Sequence, residues 1–299
     1  MTTNMNEMQI YMKTKPSLSV NTQKTYLKNY ANLLRLLGSD DVHSIDPQEI
    51  IRDVKTIANP NTQNMYITIS IMLKAFFGKS TSQLLKHRDL IKENIKTRKN
   101  KNKDMKKDSL PDYEDLKTHT KQLLSEDDLR GYIINYILVR FNTRNMDLDM
   151  VVTDDMANYR ALGKRGGENV LYVGQGKNGK NYYYRNKYKT KTIHGEKVNS
   201  FYDIKFNRAV KRYMEQEREK GVPEVYLLAL DSGERIGSES NSHYINKYTL
   251  DGMTESDYNK ISVSRVKSME DYGILKTISE NRGTSIPTLI EEYNLSVKV

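Results

Sequence analysis

Over the first hundred residues, apolar side chains recur at helical spacing. Tyr26, Tyr30, Leu33, Leu34 and Leu37 make one stripe along Asn21–Leu37, with Ser19 or Asn21 to cap its start and Gly38 to end it. Asp46 and Pro47 read as a cap and a first-turn proline, opening a short helix that reaches Ile57. Asn59 and Pro60 break the chain, and a third helix follows over Thr62–Phe77, stopped by Gly78. A fourth begins near Thr81. Asn100–Asp112 holds only Met105 and Leu110 as large apolar residues, which predicts a linker between a helical unit, 1–105, and a second unit, 106–299.

The pattern of the second unit is mixed. Leu129–Phe141 is an apolar helix. Val170–Val173 and Asn181–Tyr188 read as strands around the turn-rich Gly174–Gly179, and a turn at His194 and Gly195 leads to a strand near Val198–Ile204. Helices are expected over Asn207–Glu219, Ser242–Tyr248 and Arg265–Tyr272. Pro287 opens a last one carrying Leu289, Ile290 and Tyr293. The expected fold class is mainly α with a small β-sheet, an α+β arrangement.

Composition narrows the chemistry. The 299 residues include no cysteine, which excludes disulfides, thiolate metal sites and a cysteine nucleophile. The five histidines are scattered, so no metal site is expected. No apolar run approaches the roughly 18–20 residues that span a bilayer. The start lacks the apolar core of a secretory signal, and an intracellular protein is expected. The net charge of +10 is concentrated: Lys86–Lys107 holds ten Lys/Arg against three acids, and Arg160–Lys197 ten against two. Two such blocks point to a polyanion, nucleic acid foremost. A solvated helix face or linker is the plain alternative for the first block, whose candidate DNA contacts are Lys96, Arg98, Lys99, Lys101 and Lys103. The second is interleaved with Tyr182, Tyr183, Tyr184 and Tyr188.

Four segments carry a family resemblance. In Phe141–Asp155 an apolar helix ends at Arg144, with Asp147, Met150 and Asp154 following. Lys187–Gly195 has the look of a lysine-bearing hairpin, with Lys191 first and Lys189 second. Ile261–Arg265 places Ser262 and Arg265 at the spacing of a His-x-x-Arg pair, with serine for histidine. Ile278–Tyr293 ends in Thr284, Ser285, Thr288 and Tyr293. There the usual histidine or tryptophan falls on Gly283 or Arg282. In this order the segments resemble the tyrosine recombinases, the phage-type integrase family, as a divergent member of viral or mobile-element type. Ser19–Tyr26 with Leu33 and Leu37 is similar to the opening helix of that family's DNA-binding bundle.

The resemblance implies a helical core-binding domain, a catalytic domain and a clamp around double-stranded DNA, with two or four copies acting together. It implies Tyr293 as the nucleophile, Arg144 and Arg265 gripping phosphate, Lys191 protonating the leaving oxygen, and Ser262 and Arg282 as substitute donors. Arginine suits the grip because its planar fork meets two oxygens and stays charged. No cofactor is implied, since the bond energy is kept in a phosphotyrosine. A type IB topoisomerase shares this chemistry. A DNA-binding protein that has lost catalysis is the rival from another class.

Overall fold

The structure, a computed structural model, describes residues 6–107, 109–176, 179–237, 240–266 and 271–295, without the side chains at 103, 104, 106 and 107. The chain divides into two compact units, Met1–Met105 and Lys106–Val299. Together they are mainly helical with one small sheet, the α+β class that the pattern predicts. Among the described residues no helix is long and apolar enough to cross a membrane.

The first unit consists of α1 (Glu7–Lys13), α2 (Val20–Leu37), α3 (Pro47–Val54), α4 (Pro60–Phe76) and α5 (Ser82–Lys107). Side-chain caps set the starts. Ser19 Oγ accepts from Thr22 N at 3.2 Å, and Asp46 Oδ1 from Gln48 N at 2.7 Å. Asn59 caps α4 by accepting from Asn61 N at 2.9 Å. Asn59 and Pro60, read above as a break, therefore open a helix, since a proline in the first turn lacks only an N–H that no carbonyl would accept. The predicted linker also differs: α5 continues to Lys107, because no glycine or proline interrupts the chain before Pro111. Tyr30, Leu33, Ile50, Ile67, Leu73 and Leu84 are fully or almost fully buried in the core of this unit.

Glu7, Asp41 and His43 are the one group among the described residues whose ligand atoms lie close enough for a metal. Their oxygens are otherwise engaged. Glu7 accepts from Val42 N at 2.6 Å and pairs with His43 Nδ1 at 2.7 Å, and Asp41 accepts from Ser44 N at 3.0 Å. The buried Lys74 ammonium donates to His43 O and Ile45 O beside them. This is a clasp holding α1 to the loop before α3.

The second unit begins with α6 (Tyr113–Ser125) and α7 (Leu129–Phe141). Its sheet uses β1 (Val151–Thr153), β2 (Val170–Tyr172), β3 (Asn181–Arg185), β4 (Lys197–Phe201) and β5 (Val225–Tyr226), in the order β4-β3-β2-β1-β5. Strands β1 and β2 are parallel, joined through α8 (Met156–Asn158) and a π-helical stretch, Tyr159–Arg165; the other pairs are antiparallel. A short α9 (Lys191–His194) sits in the β3–β4 hairpin. Next come α10 (Ile204–Arg218), α11 (Asn241–Asn246), α12 (Glu255–Ser264), α13 (Tyr272–Arg282) and α14 (Ile286–Tyr293). The helix expected over Arg265–Tyr272 is displaced. Thr254 and Asp257 form a capping box that starts α12 ten residues earlier, and Arg265 is its C-cap. Residues 267–270 lie outside the described ones. The core of this unit joins α7, whose Ile133, Ile134 and Ile137 are fully buried, to Leu171, Tyr183 and Phe206.

Candidate active site

Two chain turns bring the site together. Asn142, at φ 48°, ends α7 in the left-handed conformation, its N–H bonded to Leu138 O. The chain then leaves the helix axis through Thr143 and Arg144. A 3-10 turn over Asn145–Leu148 follows, and Asp147 Oδ2 accepts from Arg144 N at 3.2 Å. Gly283, at φ 63°, ends α13 in the same way. Ser285 then caps α14, with Oγ accepting from Thr288 N at 3.4 Å. The two turns meet where Arg144 Nη2 donates to Thr284 Oγ1 at 3.0 Å.

Arg282 is buried within this junction. Its Nη1 donates to Asn142 O at 3.2 Å and to Thr143 O at 3.3 Å, and its Nη2 pairs with Glu255. Its guanidinium carbon lies 5.2 Å from the centre of the half-buried Tyr293 ring. Burial and the Arg282 charge together make the Arg144 guanidinium less basic than usual.

Lys197 completes the cluster. The β3–β4 register sets it opposite Arg185, and its ammonium donates to Glu280 O and lies 5.2 Å from the Tyr188 ring centre. Burial and the Arg185 charge push its pKa down to about 8. Arg185 itself is 1% exposed. It donates to Asn281 O at 2.6 Å and to Asn199 Oδ1 at 2.5 Å, and lies 3.7 Å from Asp147 Oδ2. Burial pushes the Asp147 carboxyl up, against the pull of Arg185 and the Arg144 N–H. A cavity of about 590 Å³ opens here, lined by Arg185, His194, Lys197, Asn199, Thr284 and Ser285 among others.

A Cβ at Gly283 would collide with Thr190 Oγ1 and stand 3.2 Å from Lys197 Nζ. Glycine is what lets the hairpin approach α13, so at Gly283, one of the two positions read above for a histidine or tryptophan, either side chain would have to displace Thr190.

None of the described contacts joins the remaining expected site residues to Arg144. Lys189 and Lys191 are exposed, and none of the described contacts joins either side chain to Arg144. Ser262 is buried, its Oγ without a hydrogen-bond partner among the described residues. The Arg265 guanidinium lies 4.1 Å from the ring centre of Tyr113, on α6. Lys96, Arg98, Lys99 and Lys101 are exposed on α5, and the side chain of Lys103 lies outside the described residues. Sequence reasoning missed Lys197, Arg185 and Glu255. A signal for the first existed, since Lys197 ends the second basic block.

Several buried polar atoms of this region have no hydrogen-bond partner among the described residues: Arg144 Nη1, Arg282 Nε, Arg185 Nε and Asn142 Nδ2. Buried donors are normally paired, and here two of the four belong to Arg144 and to the Arg282 that rests on the Tyr293 ring. The arrangement can hold an oxyanion against two arginines, attack it with a tyrosine and protonate a departing oxygen.

No protein-family model matches the chain, and no curated protein does. Among solved structures the chain is similar to a crystal structure of XerA recombinase, with a TM-score of 0.39 and 14% sequence identity, over 96% of this chain and 91% of that one.

Proposed function

We propose that this protein is a site-specific recombinase that cuts and rejoins double-stranded DNA through a phosphotyrosine on Tyr293. One observation carries the reading: Arg144, Arg282 and the Tyr293 ring converge, with unpartnered guanidinium nitrogens on both arginines. A phosphodiester supplies the oxygens such nitrogens need. In this mechanism Tyr293 Oη bonds to phosphorus and its proton leaves to water. The bond from phosphorus to the 5′ oxygen breaks, and that oxygen takes a proton from the Lys197 ammonium. Arg144 and Arg282 hold the non-bridging oxygens as charge develops. A 5′ hydroxyl from a second strand reverses the sequence, which calls for at least two copies of the protein on two duplexes. Lys197 takes the role that the resemblance gave to Lys191.

The test is covalent trapping. The protein is incubated with a pool of randomised nicked duplexes, and a species slower than free protein on a denaturing gel is sequenced. Enrichment of one sequence supports the recombinase. Adducts without sequence preference, with relaxation of any supercoiled plasmid, support a type IB topoisomerase.

A DNA-binding protein without catalysis is the second reading. It is favoured by Glu255, whose carboxylate already occupies one edge of Arg282 and accepts from Asn145 N at 3.1 Å. Specific binding with no adduct from any duplex is its signature.

A further inference from the structure

We propose that Arg185 is the positioning residue for Lys197 in one respect: fixed opposite it across the β3–β4 ladder, it controls whether the ammonium keeps its proton. This rests on the reading of Lys197 as the acid. The cross-strand register puts the two cations on adjacent strands at the same level of the ladder. Like charges so placed repel, and a free arginine would swing into solvent. Arg185 does not: its bonds to Asn281 O and Asn199 Oδ1 fix it to the end of α13 and to β4, at 1% exposure. It is a permanent charge, because guanidinium does not deprotonate in proteins. Lys197 is the partner able to yield.

The other groups facing Lys197 are accounted for. Arg144 adds a second repulsion, while Asp147 and the Glu280 carboxylate attract. The Tyr188 ring and the Glu280 carbonyl receive the ammonium, and His194 lines the same cavity. Asp147 lies close to Arg185 and partly offsets it. Burial and then Arg185 are the two largest influences, and with Arg144 they leave the pKa at about 8 against these attractions. Asn199 joins the arrangement a second time, donating to Asn281 Oδ1 at 2.9 Å, so the β3–β4 hairpin and α13 form one polar seam behind the lysine.

The test reads Lys197 directly. The whole protein is labelled with a trace of acetic anhydride from about pH 6 to about pH 11, a range spanning the ordinary lysine value. Acetylation at Lys197 is followed by peptide mass spectrometry. In Arg185→Gln the midpoint should climb by at least a unit, a tenfold drop in free amine at a given pH. In Arg185→Lys, which keeps the charge, it should stay near the parental value. Asp147→Asn should move it the other way, downward, and Asn199→Ala, which removes a bond that fixes Arg185, should raise it and supplies the answer if Arg185→Gln does not fold. An unmoved midpoint in folded Arg185→Gln, or in Asn199→Ala where Arg185→Gln does not fold, overturns the proposal. A raised midpoint in Arg185→Gln with the high-pH fall of covalent trapping left at its parental position leaves Arg185 in control of Lys197 and removes Lys197 from the acid role.

Discussion

Arg282 and Tyr293 are in face contact, guanidinium carbon to ring centre 5.2 Å, while the same arginine binds Glu255 and the carbonyls of Asn142 and Thr143. One buried side chain thus ties the turn that presents Arg144 to the helix that presents the phenol. The tyrosine ring is thereby kept against a buried guanidinium.

Tyr293→Phe removes one hydroxyl and leaves the ring among Val263, Leu275, Ile278 and Leu289. Folding stability should change by no more than about 0.5 kcal/mol, and DNA affinity should hold. The covalent species should vanish. Tyr272, half exposed at the start of α13, is the control. Peptide mapping that places the adduct on Tyr272, or an adduct that survives Tyr293→Phe, removes Tyr293 from the mechanism.

Lys197→Ala should slow cleavage by about 10²–10⁴-fold, the usual scale for a lost general acid, whereas Lys191→Ala should have little effect. A substrate with sulfur in place of the leaving 5′ oxygen needs no proton and should restore the Lys197 variant. The pH profile follows from the lowered pKa. Cleavage needs the ammonium, so its rate should fall as pH rises past about 8. Stability runs the opposite way. Between about 8 and the ordinary lysine value the unfolded chain holds the extra proton, so this group's penalty on the fold is full at lower pH and relieved as pH climbs through that window. A large loss from Lys191→Ala that the sulfur substrate restores, with Lys197→Ala near the parental rate, would return the acid role to the hairpin tip.

Arg144→Lys keeps the charge but not the fork that reaches Thr284 on one side and a phosphate on the other. Single-turnover cleavage should drop by about 10²–10³-fold, as for other lost oxyanion donors. Arg265→Lys, resting on Tyr113, should cost far less. A larger defect at Arg265 would put it back in the phosphate clamp.

On α5, Lys92, Lys96 and Lys99 share one flank by their spacing of four and three, while Arg98 and Lys101 fall outside it. One duplex meets one flank. Changing the first three to alanine should lower the salt dependence of DNA binding by about 0.9 for each phosphate released. The Arg98 and Lys101 double variant should change it less. Equal slopes in all variants would make α5 a solvated helix.

The end signals of the first unit were legible because they are local: Ser19, Asp46 and Gly38 act within one turn of themselves. The same locality misled at Asn59 and Pro60, where a breaker and a cap look alike until the first hydrogen bond is known. Helix α6 was hidden because its buried stripe runs through Thr120, whose hydroxyl returns to Leu116 O at 2.7 Å and makes a polar residue fit an apolar face. In the site, Arg144, Arg282 and Tyr293 were named from their order in the chain, and the structure brings all three together. Lys197 was not named, since choosing among the hairpin lysines depends on strand register and on a bond to Glu280, 83 residues away. Arg265 stood out by spacing alone, which does not reveal that a tyrosine ring 152 residues earlier in sequence would take its guanidinium.

Gly283 limits how this protein can be altered by engineering. Its left-handed backbone disfavours any L side chain by roughly 1–2 kcal/mol, and Thr190 and Lys197 fill the space where one would begin. A saturation library at this position should return almost only glycine. Anyone grafting an imidazole beside the reactive centre has to begin from Thr284, the next residue, which already reaches Arg144 from a backbone free of that constraint.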